Sequence, residues 1–405
     1  MTRQDIPVGG PHSPADRNLA RRAARRVARR GDRRADRRPR EVPVARPLLG
    51  EEEIAAAVRV LRSGRVVQGP EVAAFEEEFA DLVDGRICVA VNSGTSGLHL
   101  ALLALGIGPG DEVIVPSFTF AATANAVRLA GATPVFADIE PDSYCLDPRA
   151  VASAIGPATA AIMPVHLYGH PAPMDGLVRL ARRHGLAVVE DAAQAHAAAL
   201  GGRPVGTFGD AAVFSLYPTK NMHSLEGGMV VVPDGAVART LRLLRNQGME
   251  RRYDNEIVGF NVRMTDVAAA IGREQLRKLP MWTDRRRAHA RTLDAGLRGV
   301  VVPTVADGAA HVYHQYTVRV VGDGRSGRDA FQRALARRGV GSAVYYPIPV
   351  HRLPSFRHPA GRPPADLPET DRAADEVLSL PVHPSLDPAD LAHVLAAVNA
   401  IGAAR

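Results

Sequence analysis

Met174 to Asp191 reads MDGLVRLARRHGLAVVED. Met174–His184 mixes apolar and basic residues as an amphipathic helix does, and Ala187–Glu190 is a short β-branched run that closes on acids. The same alternation extends outward on both sides. Further strand-like runs are Ile87–Val91, Glu112–Val115, Pro134–Ala137, Ala161–Val165, Ala211–Ser215 and Met229–Val232, and Ala121–Leu129 is another amphipathic stretch between them. Such alternation predicts an α/β domain with a mostly parallel sheet, in which ligands sit at the carboxyl ends of the strands. After about residue 290 the pattern changes. Tyr316–Val321, a helix over Arg328–Arg338, Ser342–Tyr346 and a final helix over Pro388–Ile401 predict a smaller α+β domain. No internal repeat or coiled-coil heptad is present.

With 405 residues, 46% of them hydrophobic, the chain can bury a large core. No apolar run reaches the ~20 residues that span a bilayer, and no signal-peptide core follows the N-terminus. The expectation is a cytoplasmic protein without membrane contact. Cys88 and Cys145 have no metal-ligand spacing, so no metal site is expected, and Cys88 is expected as a buried thiol. The net charge of +7 is uneven. Residues 1–44 carry thirteen arginines against five acids, a surplus of eight, which leaves the remainder one negative charge net. Residues 1–44 are therefore expected to form a disordered tail. Nothing aromatic accompanies its charge for stacking on bases, so nucleic acid is not the expected partner.

Of the fifty basic residues only two are lysines, Lys220 and Lys278. Arginine replaces lysine where only charge is wanted, but a guanidinium cannot condense with an aldehyde. Lys278, in EQLRKL, is expected on a solvated helix face. Lys220, in FSLYPTKN, has no such bland explanation.

Four segments end near strand termini. Asn92-Ser93-Gly94-Thr95-Ser96-Gly97 leads into a helix, and small residues with free amides there suit a phosphate, although a plain capped helix start looks the same. In VVEDAAQAH, Asp191 ends a buried strand and needs a cationic partner such as a pyridinium nitrogen, unless it merely caps the next helix. Ser215 ends another strand, shortly before Lys220. Phe118 and Phe120 in PSFTFAAT bring an aromatic ring to the same edge, and at least one of the two is expected in the core.

In order and spacing, VNSGTSGLHLAL, GDEVIVPSFTFAATANAV, MPVHLYGH, VVEDAAQAHAA, FSLYPTKN, EGGMV, GFNVRMTDVAAAIGREQL and YYPIPVH together resemble the DegT/DnrJ/EryC/StrS sugar aminotransferases, within the fold-type I pyridoxal-phosphate enzymes. The resemblance covers about residues 45–400. It implies a large domain over 45–290 that binds pyridoxal 5′-phosphate and a small C-terminal domain over 291–405. Lys220 matches the Schiff-base lysine and general base, Asp191 the acid on the pyridine nitrogen, and Gln194 the residue at the phenolic oxygen. Phe120 matches the stacked aromatic, and Thr95, Ser96 and Ser215 the phosphate-binding set. Asn261 matches a residue that reaches the phosphate from the other subunit, which implies a homodimer with shared active sites. Tyr346, His351 and Arg263 fall in segments that match the substrate side. Two positions depart from the family pattern: Leu225 stands where glycine usually precedes Glu-Gly-Gly, and Ala197 where glycine often follows the histidine of AQAH.

The implied reaction moves an amino group from glutamate, or glutamine, to a ketosugar carried on a nucleoside diphosphate. The alternatives are a ketocyclitol acceptor, or a cofactor-binding regulator that grips DNA with its tail.

Overall fold

The structure is a computed structural model and describes residues 40–356 and 366–404. The expected tail lies outside the described residues as far as residue 39. In chain order the elements are α1 (Glu51–Ser63), α2 (Pro70–Ala80), β1 (Ile87–Val91), α3 (Gly94–Ala104), β2 (Glu112–Pro116), α4 (Ala122–Leu129), β3 (Thr133–Ala137), α5 (Pro148–Ala154), β4 (Thr159–Ile162), α6 (Met174–His184), β5 (Ala187–Asp191), β6 (Ala199–Leu200) and β7 (Arg203–Pro204). They continue with β8 (Ala211–Ser215), β9 (Gly228–Val232), α7 (Gly235–Arg245), α8 (Asp266–Gly296), β10 (Ala309–Ala310), β11 (Tyr316–Arg319), α9 (Gly324–Arg337), α10 (Pro368–Glu376), β12 (Val377–Leu380) and α11 (Pro388–Gly402).

Seven strands form the main sheet in the order β1-β9-β8-β5-β4-β2-β3. The pairs from β8 through to β3 are parallel, and β9 alone runs against its neighbours β1 and β8. This is the expected α/β architecture, on the seven expected runs. The strands are apolar on both faces because apolar side chains cover both. Helix α6 shows the pattern from the other side: Met174, Leu177 and Ala181 are buried, and its last turn is basic. β4 ends earlier than the sequence suggests. Pro164 has no N–H to continue the ladder, so Val165 makes only a lone bridge to Asp191.

Beyond α8, the antiparallel pair β11–β12 and helices α9 and α11 enclose a second core around Tyr316, Phe331, Leu380 and Val394. The thirty-one-residue α8 contributes to both cores, Leu279 to one and Leu293 to the other, so the expected boundary at 290 falls within a helix. Val42 also belongs to the second core and bridges to Val340. Ser342–Tyr346, expected as a strand, forms a single bridge from Ala343 to Ser379 and then leaves the sheet. Among the described residues, no helix is long and apolar enough to cross a membrane, and no His, Cys, Asp and Glu group could hold a metal. Cys88 and Cys145 are buried and free.

Strand direction positions the site. One edge of the sheet collects the carboxyl ends of β1, β2, β5 and β8 and the amino end of the reversed β9. Gly228 opens β9 so close to the start of α3 that a Cβ there would lie 2.6 Å from the Ser93 carbonyl oxygen. Only glycine allows that approach.

Candidate active site

A cleft of about 510 Å³ opens at this edge, with Thr95, Phe120, Asp191, Gln194, Ser215, Lys220 and Tyr346 on its walls. At one end α3 begins. Ser93 caps it, its Oγ accepting the Ser96 amide at 3.1 Å. The amides of Gly94 and Thr95 are the first of the helix and have no acceptor within it. The Thr95 and Ser215 hydroxyls make no hydrogen bond among the described residues, and a Cβ on Gly94 would meet Ser215 Cβ at 3.0 Å. The result is a cradle of donors at a helix N-terminus, suited to a phosphate.

Asp191 ends β5. Its Oδ2 accepts the Thr123 hydroxyl at 2.8 Å and its Oδ1 the Ala193 amide at 3.2 Å. It has no ion-pair partner among the described residues. Burial raises its pKa against the pull of those donors. A buried carboxylate of this kind needs a cation from a ligand. Gln194 is held at both ends, its Oε1 accepting the Tyr168 amide at 2.7 Å and its Nε2 donating to the Tyr346 hydroxyl at 3.0 Å.

Lys220 stands on the loop between β8 and β9, which Leu216 N to Gly227 O (2.9 Å) and Ser224 N to Leu216 O (3.0 Å) close at its base. Burial pushes its amine down to about 8 despite the attraction of Asp191. About a tenth of it is then a free, nucleophilic amine at pH 7, far more than for an ordinary lysine. Phe120 leaves 60% of its surface open on the cleft wall, while Phe118 is fully buried. Phe118 is thus the core ring, and the open face of Phe120 lines the cleft. Phosphate cradle, unpaired buried carboxylate, open aromatic face and lowered lysine together fit pyridoxal 5′-phosphate.

Other expected residues lie elsewhere. Ser96 serves the helix cap, its hydroxyl 3.0 Å from Ser93 Oγ. His351 Nδ1 is 2.6 Å from the Ser117 hydroxyl, with Phe136 beside the ring. Arg263 donates to Asn246 Oδ1 at 2.9 Å, and Asn261 is exposed outside this chain's cleft. Lys278 is not on a solvated face; it reaches across to Glu53 at 2.8 Å and Glu52 at 3.1 Å. The sequence reading missed Thr119, Glu226, His314 and Gln315, which also line the cleft, and Thr123 behind Asp191. The signal for Thr123 was its spacing of four from Thr119 at a helix start. His314 carried none, since burial among distant segments holds it neutral. The two departures from the family pattern both fall in left-handed backbone, Leu225 at φ 70° and Ala197 at φ 65°.

The model of the DegT/DnrJ/EryC1/StrS aminotransferase family matches residues 47–399. Among curated relatives, the dTDP-3-amino-3,4,6-trideoxy-alpha-D-glucose transaminase of Streptomyces venezuelae is 45% identical over 355 residues, 87% of this chain and 92% of that protein. Among solved structures, S. venezuelae DesV in complex with a ketimine intermediate aligns with a TM-score of 0.84 at 44% identity, over 89% of this chain and 99% of that one. The PLP form of the sugar aminotransferase Spr1654 from Streptococcus pneumoniae, itself described as putative, aligns with a TM-score of 0.86 at 26% identity, over 90% of this chain and 99% of that one.

Proposed function

The chain belongs to the DegT/DnrJ/EryC1/StrS aminotransferase family, and on that premise we propose that it transfers an amino group from glutamate, or glutamine, to a ketosugar carried on a nucleoside diphosphate. The observation that carries this reading is the meeting of Lys220 and Asp191 in one cleft, in a chain so similar to a transaminase of a dTDP-linked sugar. Pyridoxal 5′-phosphate, when bound, supplies an electron sink for the pair left behind as a substrate carbon loses its proton.

The chain's own residues do the rest. The amides at the start of α3, with Thr95 and Ser215, bind the phosphate. Asp191 keeps the proton on the ring nitrogen, Gln194 offers an amide hydrogen to the ring oxygen, and Phe120 covers one ring face. Lys220 holds the cofactor covalently between turnovers, then takes the proton from the donor's α-carbon and returns it one position along. Tyr346 reaches the cleft from the segment that follows Ala343's bridge to Ser379, on the side left for the acceptor. A second copy completes the site through Asn261, so the working form is a homodimer.

The test is turnover by the purified, cofactor-loaded protein with glutamate or glutamine against a panel of nucleoside-diphosphate ketosugars and ketocyclitols. Aminated nucleotide sugars detected by mass spectrometry support the reading. Amination of cyclitols alone moves the acceptor class, and binding of the cofactor without amination of any acceptor favours a regulator.

A further inference from the structure

Thr119 and Thr123 stand one helical turn apart at the entry to α4, with their hydroxyl oxygens 3.0 Å apart. Thr123 donates its only hydroxyl proton to Asp191 Oδ2. An ionised carboxylate accepts and cannot donate, so the direction of the whole chain is fixed: Thr119 must donate to Thr123, and Thr123 to Asp191. Both threonines are buried, Thr123 completely, and Thr119 borders the cleft. The other oxygen of Asp191 takes a backbone amide, so among the described residues Thr123 is the one side chain that holds this carboxylate by a hydrogen bond.

We propose that the Thr119–Thr123 hydroxyl chain is a positioning device for the cofactor, fixing Asp191 in orientation and keeping it ionised where it meets the ring nitrogen of pyridoxal 5′-phosphate. The proposal rests on the role given to Asp191 above. Burial drives a carboxylate towards its neutral form, and of the groups that oppose this at Asp191 the Thr123 hydroxyl comes first, followed by the Ala193 amide and then the charges of Lys220 and His166. Tyr346 faces the same carboxylate and feels its charge. Without Thr123's proton, Asp191 keeps its place in β5 but is more readily protonated, and a protonated carboxyl is a poor partner for a charged ring.

The experiment compares cofactor-free parent, Thr123→Val, Thr123→Ser, Thr119→Val and Asp191→Asn. Pyridoxal 5′-phosphate is titrated into each, with binding followed by equilibrium dialysis and by the fluorescence of the single tryptophan, Trp282. The visible absorbance of the bound cofactor is then recorded against pH. Thr123→Val should weaken binding roughly ten-fold, the size of one hydrogen bond to a charged group, and move the acid limb of the absorbance profile to higher pH. Thr123→Ser should restore both. Thr119→Val, which never touches Asp191, should move both in the same direction by less, and it carries the test if Thr123→Val does not fold. Parental binding and an unmoved acid limb in Thr123→Val, or in Thr119→Val where it stands in, beside clear loss in Asp191→Asn, overturn the hydroxyl chain and leave Asp191's role standing. If Asp191→Asn itself behaves like the parent, that role fails and the proposal fails with it.

Discussion

The chain's two lysines stand in opposite surroundings. Lys278 is wrapped by two glutamates, which hold its charge in place and raise its pKa. Lys220 faces a cleft, and burial lowers its pKa. Substitution by arginine separates the two. Lys220→Arg keeps charge and approximate length but loses the primary amine, so transamination should fall by several orders of magnitude, and borohydride should no longer fix the cofactor to the chain. Lys278→Arg keeps its ion pairs and should turn over like the parent; near-parental turnover by Lys220→Arg would remove the central claim. Residues also decide two local strains. Ala197 and Leu225 occupy left-handed backbone that costs a side-chain-bearing residue about 1 kcal/mol or more relative to glycine. Ala197→Gly should therefore raise the midpoint of thermal unfolding, by about 0.5–1 kcal/mol of stability. Leu225→Gly should do the same, because that side chain is exposed within its own chain and outside its cores. A lowered midpoint in both would mean that their contacts outweigh the backbone. These departures were visible in the sequence as missing glycines, but the reason glycine belongs there, a positive φ, was not.

At the scale of elements, the seven strands of the main sheet were legible because each is buried on both faces and reads as a continuous apolar run between helices. Ser342–Tyr346 reads as a strand for the same compositional reason, yet it leaves the sheet after one bridge because Tyr345 and Tyr346 turn to the cleft. A tyrosine wanted by a cleft and a tyrosine wanted by a sheet look alike in sequence. The Thr123–Asp191 bond is illegible for a related reason: it joins residues sixty-eight positions apart, and only the parallel order of β2, β4 and β5 brings them together. The meeting of β9 and α3 makes a prediction of its own. A methyl group at Gly228 would collide with the Ser93 carbonyl and the Gly94 amide, at 2.6 and 2.9 Å. Gly228→Ala should push the start of α3 out of line and weaken pyridoxal phosphate binding by at least about ten-fold, since several aligned donors move together. The fold should persist, because the displaced contact lies at the sheet's edge. Unchanged cofactor affinity in a folded Gly228→Ala protein would show that this helix start does not carry the phosphate.

Over the whole molecule, the apolar residues left exposed are not scattered evenly. Phe120 and Tyr217 border the cleft. Tyr253, Ile257 and Val258 lie exposed on the segment that leads to Asn261. Groupings of this kind mark a surface that another molecule covers. Asn261 lies on that segment, outside the cleft of its own chain, its backbone bridged to Asn246. On the proposed reading, in which GFNVRM crosses between subunits, the covering molecule is a second copy of the chain. If each cleft needs Asn261 from the other copy, a Lys220→Ala chain and an Asn261→Ala chain fail for reasons that can be complemented. In a mixed dimer, one cleft receives both defects and the other receives neither. Random mixing makes about half of the dimers mixed, with one intact site in each, so activity should recover to about one quarter of the parental value per chain. That level is well above either single variant, if each substitution costs at least about ten-fold. The measurement is activity after co-expression with two different tags and purification through both, which isolates the mixed dimers and raises the expected recovery to about one half. Doubly tagged dimers no more active than the two variants alone would mean that Asn261 serves its own chain, or none.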